Sequence, residues 1–255
     1  MRLTGHHAFV TGGGTGIGAA IAHALADEGA KLTLVGRRRE KLEEVAAACA
    51  SPGPVAAPAD VTDPAQLDRA FALAREAHGP VTILVNNAGG SQSAPFARVT
   101  RELWRETMAL NLDAVFECCQ AALPDLLASE SARIVNISSI AGLKAYPYVS
   151  PYVAAKHGLI GLTRALALEL VRTKVTVNAV CPGFTDTDLV ADTIARIQAK
   201  TGRTEAAARA EIEKYNPQGG FIAPREIAAA VVWLCLPESR AVTGQSIIVA
   251  GGEIM

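Results

Sequence analysis

A tyrosine and a lysine spaced four residues apart could form an acid–base pair. Tyr152 and Lys156 stand in a stretch whose pattern predicts a helix, so both side chains are expected on one helical face. A free tyrosine keeps its proton up to about pH 10, and a neighbouring ammonium group favours the phenolate and lowers that pKa. We expect the pair to act as a general acid or base near neutral pH. Because such spacing is common by chance, the interpretation depends on the residues around it.

A glycine-rich turn follows the first apolar run of the chain and leads into a predicted helix. Glycines allow backbone N–H groups to approach a pyrophosphate, and the start of a helix adds a positive dipole end. A strand before the turn and a helix after it are the context that such a phosphate site requires. A tight turn without a ligand is the alternative. The residues predicted to cradle the phosphates are Gly12, Gly14, Thr15, Gly16, Ile17 and Gly18.

Arginines follow the second apolar run, where an acidic residue would bind a ribose 2′-hydroxyl. Gly36 holds the position of that acid, and Arg37 and Arg38 come directly after it. Guanidinium groups suit a 2′-phosphate, and a bound phosphate would offset basic charge at a helix start. We therefore predict NADP(H) as the cofactor, held by Arg37 and Arg38, with NAD(H) left open. A solvated basic helix start is the alternative.

Short apolar runs alternate with longer amphipathic stretches along the chain. The short runs are too apolar for half-exposed strands, so they predict strands buried on both faces of a parallel sheet. The fold class is therefore α/β, a single doubly wound domain over residues 1–255. The predicted strands are His7–Val10, Lys31–Val35, Val55–Ala59, Ile83–Val85, Ile134–Ile137, Val175–Val180 and Ile247–Val249. The predicted helices are Ile17–Glu28, Arg38–Cys49, Pro64–Ala77, Arg101–Leu127, Pro151–Arg172 and Arg225–Leu236.

Local signals place several helix ends and one insertion. Asp63 and Ser150 each precede a proline and are predicted N-caps. Asp188–Gln218 is a long, mixed-charge, helix-prone segment in which Gly202 ends one helix and Thr204 caps the next. Because insertions after a parallel strand lie over the ligand crevice, residues 188–218 are interpreted as a substrate lid. A surface hairpin without a role in binding is the alternative.

Several motifs share one order and spacing. The turn reads TGxxxGxG, the tyrosine and lysine form YxxxK, and Ser139 lies 13 residues before Tyr152. Together they resemble the short-chain dehydrogenase/reductase family over essentially the whole chain, and within it the 3-oxoacyl-thioester reductases and polyketide ketoreductases. The other matching residues are Asp60, Val61, Asn87, Ala88, Gly89, Asn111, Pro182, Gly183, Thr185 and Thr187.

The resemblance implies a role for each matching residue. Tyr152 would exchange the proton with the substrate oxygen, Ser139 would hydrogen-bond that oxygen, and Lys156 would assist Tyr152 and bind the nicotinamide ribose. Asn111 would hold a water molecule that relays protons. The family often carries a basic residue at the position of Thr15, which leaves the NADP preference to the two arginines. The remaining cofactor contacts would be Asp60 and Val61 at the adenine, Asn87 on the ribose side, and Pro182, Gly183, Thr185 and Thr187 around the carboxamide and phosphates. Ala88 and Gly89 would be further cofactor contacts.

The function predicted is that of an NADP-dependent enzyme interconverting a ketone and a secondary alcohol. Its small-molecule substrate would be a 3-oxoacyl thioester or a polyketide-like ketone. The lid carries basic residues for a thioester's phosphate, but acidic residues balance them. Two alternatives remain: an NAD-linked catabolic dehydrogenase of a hydroxy compound, and a non-catalytic nucleotide sensor. An intact set of Asn111, Ser139, Tyr152 and Lys156 argues against the sensor.

Composition narrows the remaining function classes. A net charge of −1 over 255 residues gives no general attraction to nucleic acid or to an acidic membrane surface. No apolar run is long enough to span a bilayer and no signal peptide is evident, so a cytoplasmic location is expected. The five cysteines show no metal-binding or disulfide spacing and predict reduced packing residues. The two long helices, apolar on more than one face, together with the resemblance, predict a homotetramer.

Overall fold

The chain folds around a central parallel sheet, as its apolar runs predict. A computed structural model describes residues 1–50 and 53–254. Within these residues, one seven-stranded sheet has the order β3-β2-β1-β4-β5-β6-β7. The doubly wound α/β prediction is confirmed, with strand ends within about two residues of those expected. The strands are β1 (His7–Thr11), β2 (Lys31–Gly36), β3 (Val55–Pro58), β4 (Ile83–Asn86), β5 (Ala132–Ile137), β6 (Val175–Pro182) and β7 (Ser246–Val249).

Helices connect the strands and cover both faces of the sheet. Alternate residues of one strand point to opposite faces, so a strand buried on both sides contributes to two cores. Val10 of β1 belongs to one core, and Phe9 belongs to the other, where its ring stacks on Phe71 at 4.0 Å between centroids. The helices are α1 (Gly16–Asp27), α2 (Arg39–Ala48), α3 (Pro64–His78), α4 (Arg101–Met108), α5 (Ala114–Ala128), α6 (Ser150–Glu169), α7 (Asp188–Thr201), α8 (Glu205–Glu213) and α9 (Pro224–Cys235).

The strand order reverses at the centre of the sheet. The chain moves outward from β1 to β3, then returns to place β4 on the other side of β1. The connections after β1 and β4 therefore leave in different directions, and a crevice opens at the carboxyl ends of these two strands. The glycine-rich turn after β1 and the segment Asn87–Gly90 after β4 border this crevice.

Two of the three predicted helix caps are confirmed. The Asp63 carboxylate accepts hydrogen bonds from the backbone N–H groups of Ala65 and Gln66. The Thr204 hydroxyl accepts from Ala207, after Gly202 has ended α7 in the left-handed conformation. The Ser150 prediction is wrong. Ser150 is the first residue of α6, Val149 holds the cap position, and the Ser150 hydroxyl is buried without a hydrogen-bond partner among the described residues.

The long helix predicted over Arg101–Leu127 contains a π-helical turn. α4 and α5 are joined by Ala109–Asp113, where the hydrogen bonds run from each residue to the fifth one before it. Such a turn inserts one residue without ending the helix, so the helical axis continues while the local face rotates. Asn111 lies within this turn and is fully buried.

The segment after β6 forms α7 and α8, which pack on each other around a small apolar core. Val190 and Ile194 of α7 meet Ala208 and Ile212 of α8, and Phe184 packs partly against them. This core is separate from the two that cover the sheet. In the part of the chain that the structure describes, no helix combines the length and the apolar character needed to cross a membrane.

Candidate active site

The glycine-rich turn is held against the segment that follows β4. The Thr11 hydroxyl accepts hydrogen bonds from the backbone N–H groups of Asn87, at 2.9 Å, and Ala88, at 3.0 Å. The Asn87 side-chain amide donates in return to the carbonyl oxygens of Thr11 and Gly12, at 3.0 and 3.2 Å. These bonds join the two strand ends that border the crevice. The Asn87 side chain therefore holds the backbone of the glycine-rich turn in place.

The turn has no room for side chains at its key glycines. A Cβ atom on Gly18 would lie 2.1 Å from the Gly12 carbonyl oxygen, and one on Gly12 would lie 2.7 Å from the Asn87 amide nitrogen. Gly16 has φ +54°, and Thr187 approaches it from the far side of the crevice. The backbone of α1 therefore begins at the edge of the crevice with its N–H groups uncovered by side chains. This lining fits the pyrophosphate of a dinucleotide.

Basic side chains lie beside the turn. Arg37 and Arg38 are both exposed, and the Arg38 guanidinium donates to the Thr15 hydroxyl at 3.2 Å. Thr15 therefore places the arginine next to the glycine-rich backbone. Hydrogen bonds from Thr62 lower the pKa of Asp60, and the charge of Arg37 adds a smaller effect in the same direction. The structure thus brings Thr15, the two arginines and Asp60 to one side of the crevice.

The two serines after β5 occupy different environments. The Ser138 hydroxyl is buried and donates to the Lys156 carbonyl oxygen at 3.4 Å. The Ser139 hydroxyl accepts from the Ala141 backbone N–H at 3.0 Å, and it also interacts with the Tyr152 phenol. Ser139 is therefore the serine that faces the tyrosine, as its spacing predicts.

Tyr152 and Lys156 lie one turn apart on α6. The Lys156 ammonium nitrogen is 5.6 Å from the centre of the Tyr152 ring and donates to the Ile137 carbonyl oxygen at 2.9 Å. Lys156 is almost fully buried, and burial lowers its pKa to about 8. It still carries its proton over most of the neutral range, because a pKa of about 8 lies above pH 7. The pair therefore presents a phenol and an adjacent cation beside Ser139.

The pKa of Tyr152 does not shift in the predicted direction. Burial raises it above its usual value, and the interaction with Ser139 offsets only part of that increase. Lys156 is not among the groups that shift this pKa, and its ammonium group donates to the Ile137 carbonyl oxygen. The expectation that Lys156 lowers this pKa is therefore wrong for this arrangement. The phenol remains protonated at neutral pH.

Asn111 holds the segment after β4 from the opposite side. Its amide nitrogen donates to the carbonyl oxygens of Gly90 and Thr107, at 3.0 and 2.9 Å, and its oxygen accepts from Gly90 at 3.2 Å. A Cβ atom on Gly89 would lie 2.9 Å from the Asn111 oxygen and 3.6 Å from the Lys156 nitrogen. Gly89 thus allows Asn111 and Lys156 to approach each other. Asn111 as the holder of a water molecule stays a prediction.

The segment after β6 forms the opposite wall of the crevice. The Gly183 N–H donates to the Val249 carbonyl oxygen at 2.9 Å, which continues the β6–β7 pairing beyond Pro182. The Thr185 hydroxyl donates to the Gly183 carbonyl oxygen, and the Thr187 hydroxyl donates to the Thr185 carbonyl oxygen. These bonds turn the chain toward α7 and bring Thr187 against the glycine-rich turn.

Three of the remaining predicted residues contribute mainly packing. Val61 is buried in the core beneath α3, and Ala88 packs partly against the same core. Ile17 packs against the other core from the first turn of α1. Of the predicted residues, the glycine turn, the arginines, Asp60, Asn87, Gly89, Asn111, Ser139, Tyr152, Lys156 and the segment 182–187 all border one crevice.

Other residues of the site had no predicted role. Thr11 stood at the head of the glycine motif, but its two hydrogen bonds to the segment after β4 were not foreseen. Ile137 contributes its carbonyl oxygen to Lys156, and backbone groups leave no trace in a motif. Tyr146 and Glu253 meet near the crevice although 107 positions separate them. Only the fold brings that pair together.

Known proteins resemble this chain over nearly its whole length. The family model described as short chain dehydrogenase matches residues 6–198. A putative ketoacyl reductase of the granaticin polyketide synthase from Streptomyces violaceoruber is 39% identical over 96% of this chain and 92% of its own length. A D-beta-hydroxybutyrate dehydrogenase from Rhizobium meliloti is 36% identical over 96% of this chain and 97% of its own.

A solved structure agrees with the fold. An actinorhodin polyketide ketoreductase variant, determined with NADPH, superposes with a TM-score of 0.92. It is 34% identical in sequence, and the match covers 99% of this chain and 98% of that one.

Proposed function

This chain belongs to the short-chain dehydrogenase family and is an NAD(P)-dependent oxidoreductase, and from that premise we propose that it reduces a ketone to a secondary alcohol with NADPH. The observation that carries this proposal is the meeting of Ser139, Tyr152 and Lys156 at the carboxyl ends of β5 and β6. A hydroxyl group, a phenol and a buried cation on one side of a dinucleotide crevice suit proton transfer to a carbonyl oxygen.

Each side chain has a chemical task in this reaction. Ser139 donates a hydrogen bond to the carbonyl oxygen and fixes its position. Tyr152 delivers a proton to the same oxygen, and at neutral pH it starts as the protonated phenol because burial raises its pKa. Lys156, one helical turn away, would hold the nicotinamide ribose beside the phenol. Bound NADPH would supply the hydride for the carbonyl carbon.

The cofactor preference rests on the basic side of the crevice. The position for a ribose-binding acid is Gly36, and Arg37 and Arg38 reach solvent beside it. The bond from Arg38 to Thr15 holds one guanidinium next to the backbone that would carry the phosphates. Asp60, near Arg37, suits the adenine. The NADPH of the actinorhodin ketoreductase structure supports the same choice.

The substrate class proposed is a 3-oxoacyl thioester or a polyketide-like ketone. The ketoacyl reductase relative supports this class, and α7 and α8 within the lid segment 188–218 would cover the substrate. Three of the lid's five basic side chains are already paired with carboxylates. Arg203 and Lys214 pair with Glu211, and Arg209 pairs with Glu213. We therefore expect the substrate to be chosen mainly by the shape of its acyl portion.

The test is a comparison of NADPH and NADH by nicotinamide fluorescence, followed by reduction of acetoacetyl-CoA. NADPH is expected to bind about 10–100-fold more tightly, because charge-assisted bonds to a phosphate contribute about 1.5–3 kcal/mol. Arg37→Ala should remove much of that preference and leave NADH affinity unchanged. Arg240→Ala, an exposed arginine between the end of α9 and the start of β7, is the matched control. Equal affinity for both cofactors, together with no turnover of any ketone, would contradict the proposal.

A second candidate has one specific observation in its favour. The Rhizobium relative named D-beta-hydroxybutyrate dehydrogenase is nearly as similar as the ketoacyl reductase. An NAD-linked oxidation of a hydroxy acid is therefore the alternative function. Tighter binding of NAD, with oxidation of 3-hydroxybutyrate, would select it.

We also propose a homotetramer in the cytoplasm. Exposed apolar side chains on α5 and at the end of α6, including Phe116, Leu168 and Val171, support association through the two long helices. Light scattering tests the assembly, and a monodisperse monomer would contradict it.

A further inference from the structure

The C-terminal segment Ala250–Ile254 lies between two parts of the substrate side. One is the loop Leu143–Val149, which connects Ser139 to Tyr152. The other is the end of the lid, Tyr215–Gln218, which follows α8. Both parts lie far from the C-terminal segment in the sequence, and the fold brings the three together. The contacts that join them centre on Glu253.

Glu253 binds two side chains of the loop with one carboxylate oxygen. The Tyr146 hydroxyl donates to Oε1 at 2.5 Å, and the Lys144 ammonium lies 3.2 Å from the same atom. Lys144 also donates to the Glu253 backbone carbonyl oxygen at 3.4 Å. The loop is therefore held at two points between Ser139 and Tyr152.

The carboxylate is buried, and that burial makes the two contacts necessary. The Glu253 side chain is only 3% exposed, and its Oε2 has no hydrogen-bond partner among the described residues. A buried carboxylate is costly unless it is paired and hydrogen-bonded. Because the partners of the Glu253 carboxylate among the described residues are Lys144 and Tyr146, the loop and the C-terminal segment stabilise each other.

Aromatic rings extend this contact to the lid. The Tyr146 ring meets the Phe184 ring edge to face at 6.3 Å between centroids, and Phe184 meets Tyr215 at 5.8 Å. Phe184 directly follows the predicted cofactor-binding Gly183. The row therefore runs from the loop, across the crevice wall, to the end of α8.

The C-terminal segment also binds the end of the lid through its backbone. The Gln218 N–H donates to the Gly251 carbonyl oxygen at 3.2 Å. Gly251 has φ +58°, and a Cβ atom there would lie 1.9 Å from the Asn216 side-chain oxygen. Only glycine permits this close approach. The segment is thus packed against the lid on one side and bonded to the loop on the other.

We propose that Glu253 is a positioning residue for the carbonyl substrate. Glu253 fixes the position of the loop Leu143–Val149. Through the aromatic row Tyr146–Phe184–Tyr215 it also fixes the position of the lid relative to Ser139 and Tyr152. The proposal rests on the reductase function proposed above. Its ligand is the portion of the ketone beside the carbonyl group. Glu253 itself does not exchange a proton with the substrate.

The test compares Glu253→Ala, Glu253→Gln and Tyr146→Phe with the unaltered chain. Glu253→Ala should lower kcat/KM for the ketone about tenfold to a hundredfold, since small misplacements of catalytic groups have effects of that size. The dissociation constant for NADPH should stay within about twofold, because the contacts lie on the substrate side. Glu253→Gln retains an acceptor for Tyr146 and should recover part of the activity. Tyr146→Phe keeps the ring contact with Phe184 and should raise KM more than it lowers kcat.

Amide hydrogen exchange gives a readout that does not need turnover. In Glu253→Ala, exchange over residues 143–149 should accelerate about tenfold or more, while exchange in β1 stays unchanged. Glu238→Gln, an exposed acid outside the cluster, is the matched control and should leave both measurements unchanged.

The outcomes separate this inference from the proposed function. If Glu253→Ala accelerates exchange over residues 143–149 but the unaltered chain reduces no ketone, the proposed function is refuted while the contact between Glu253 and the loop stands. Unchanged exchange and unchanged kcat/KM in Glu253→Ala would overturn the positioning role. A lower melting temperature with normal kinetics at 25 °C would assign Glu253 to stability alone and would also overturn it.

Discussion

The two walls of the crevice are built in different ways. The cofactor wall consists of backbone: a turn whose glycines leave no room for side chains, held to the next strand by Thr11 and Asn87. The opposite wall, which we propose for the substrate and call the substrate wall, consists of side chains from separate segments, among them Tyr146, Phe184 and Glu253. A backbone site is encoded in a short local motif, whereas a side-chain wall depends on the whole fold. This difference predicts where substitutions act on binding and where they act on turnover.

The largest expected effect separates chemistry from cofactor binding. Tyr152→Phe removes the proton donor and should lower kcat for ketone reduction about 10²–10⁴-fold, the usual contribution of a general acid. NADPH affinity, measured by fluorescence, should remain within about threefold, because the ring and Lys156 stay in place. Full turnover in this variant would show that Tyr152 is not the general acid.

The next effect tests the cofactor wall through two glycines in helices. Gly18→Ala forces a Cβ atom against the Gly12 carbonyl, so we expect a loss of about 1–3 kcal/mol in stability and a loss of NADPH binding. Gly161 on α6 is the matched control, since a Cβ atom there meets nothing within 4 Å. Gly161→Ala should be neutral or stabilising by up to about 1 kcal/mol in urea unfolding. Equal behaviour of the two variants would contradict the packing argument.

A pH effect links the two walls at Lys156. Its pKa is lowered to about 8 by burial, and a bound anionic dinucleotide favours the ammonium form, which raises this pKa in the complex. Between the two pKa values, Lys156 is protonated in the complex and deprotonated in the free enzyme. NADPH affinity should therefore be constant below pH 8. Above that value it should fall by up to about tenfold per pH unit. Lys156→Met should abolish this dependence, and a flat profile in the unaltered chain would refute the link.

The smallest effect concerns the helix start next to Tyr152. Ser150→Ala should change the free energy of unfolding by less than about 0.5 kcal/mol, because the hydroxyl caps nothing. Thr204→Ala removes a formed cap at the start of α8 and should destabilise by about 1 kcal/mol. Urea unfolding of both variants measures the difference. A larger loss of stability in Ser150→Ala than in Thr204→Ala would indicate that Ser150 caps the helix, as the sequence predicted.

Local patterns predicted much of the fold. The apolar runs located the strands because parallel strands buried on both faces are nearly continuous apolar stretches. Asp63 and Thr204 were predictable because a cap needs only a side chain and the backbone two or three residues later. Ser150 failed by the same local rule, since the helix begins one residue earlier and the hydroxyl points into the protein.

Burial explains the less predictable part of the site. The Tyr152–Lys156 spacing indicated that the two side chains share a helical face, and the structure agrees. Spacing carries no information about desolvation, which raises the pKa of Tyr152 and lowers that of Lys156. The partner of the ammonium group, the Ile137 carbonyl, belongs to the neighbouring strand, and only strand packing identifies it.

The sequence by itself determined the elements, their parallel arrangement, the glycine turn with its arginines, and the order of the residues around Tyr152. These features depend on contacts within a few residues or on a periodic burial pattern, and both can be read along the chain. Only the tertiary structure decided that Asn87 and Asn111 hold the segment after β4, and that Glu253 meets Tyr146 beside the crevice. Such contacts join residues far apart in the chain, and their energy comes from burial and from hydrogen bonds that exist only after the sheet has formed.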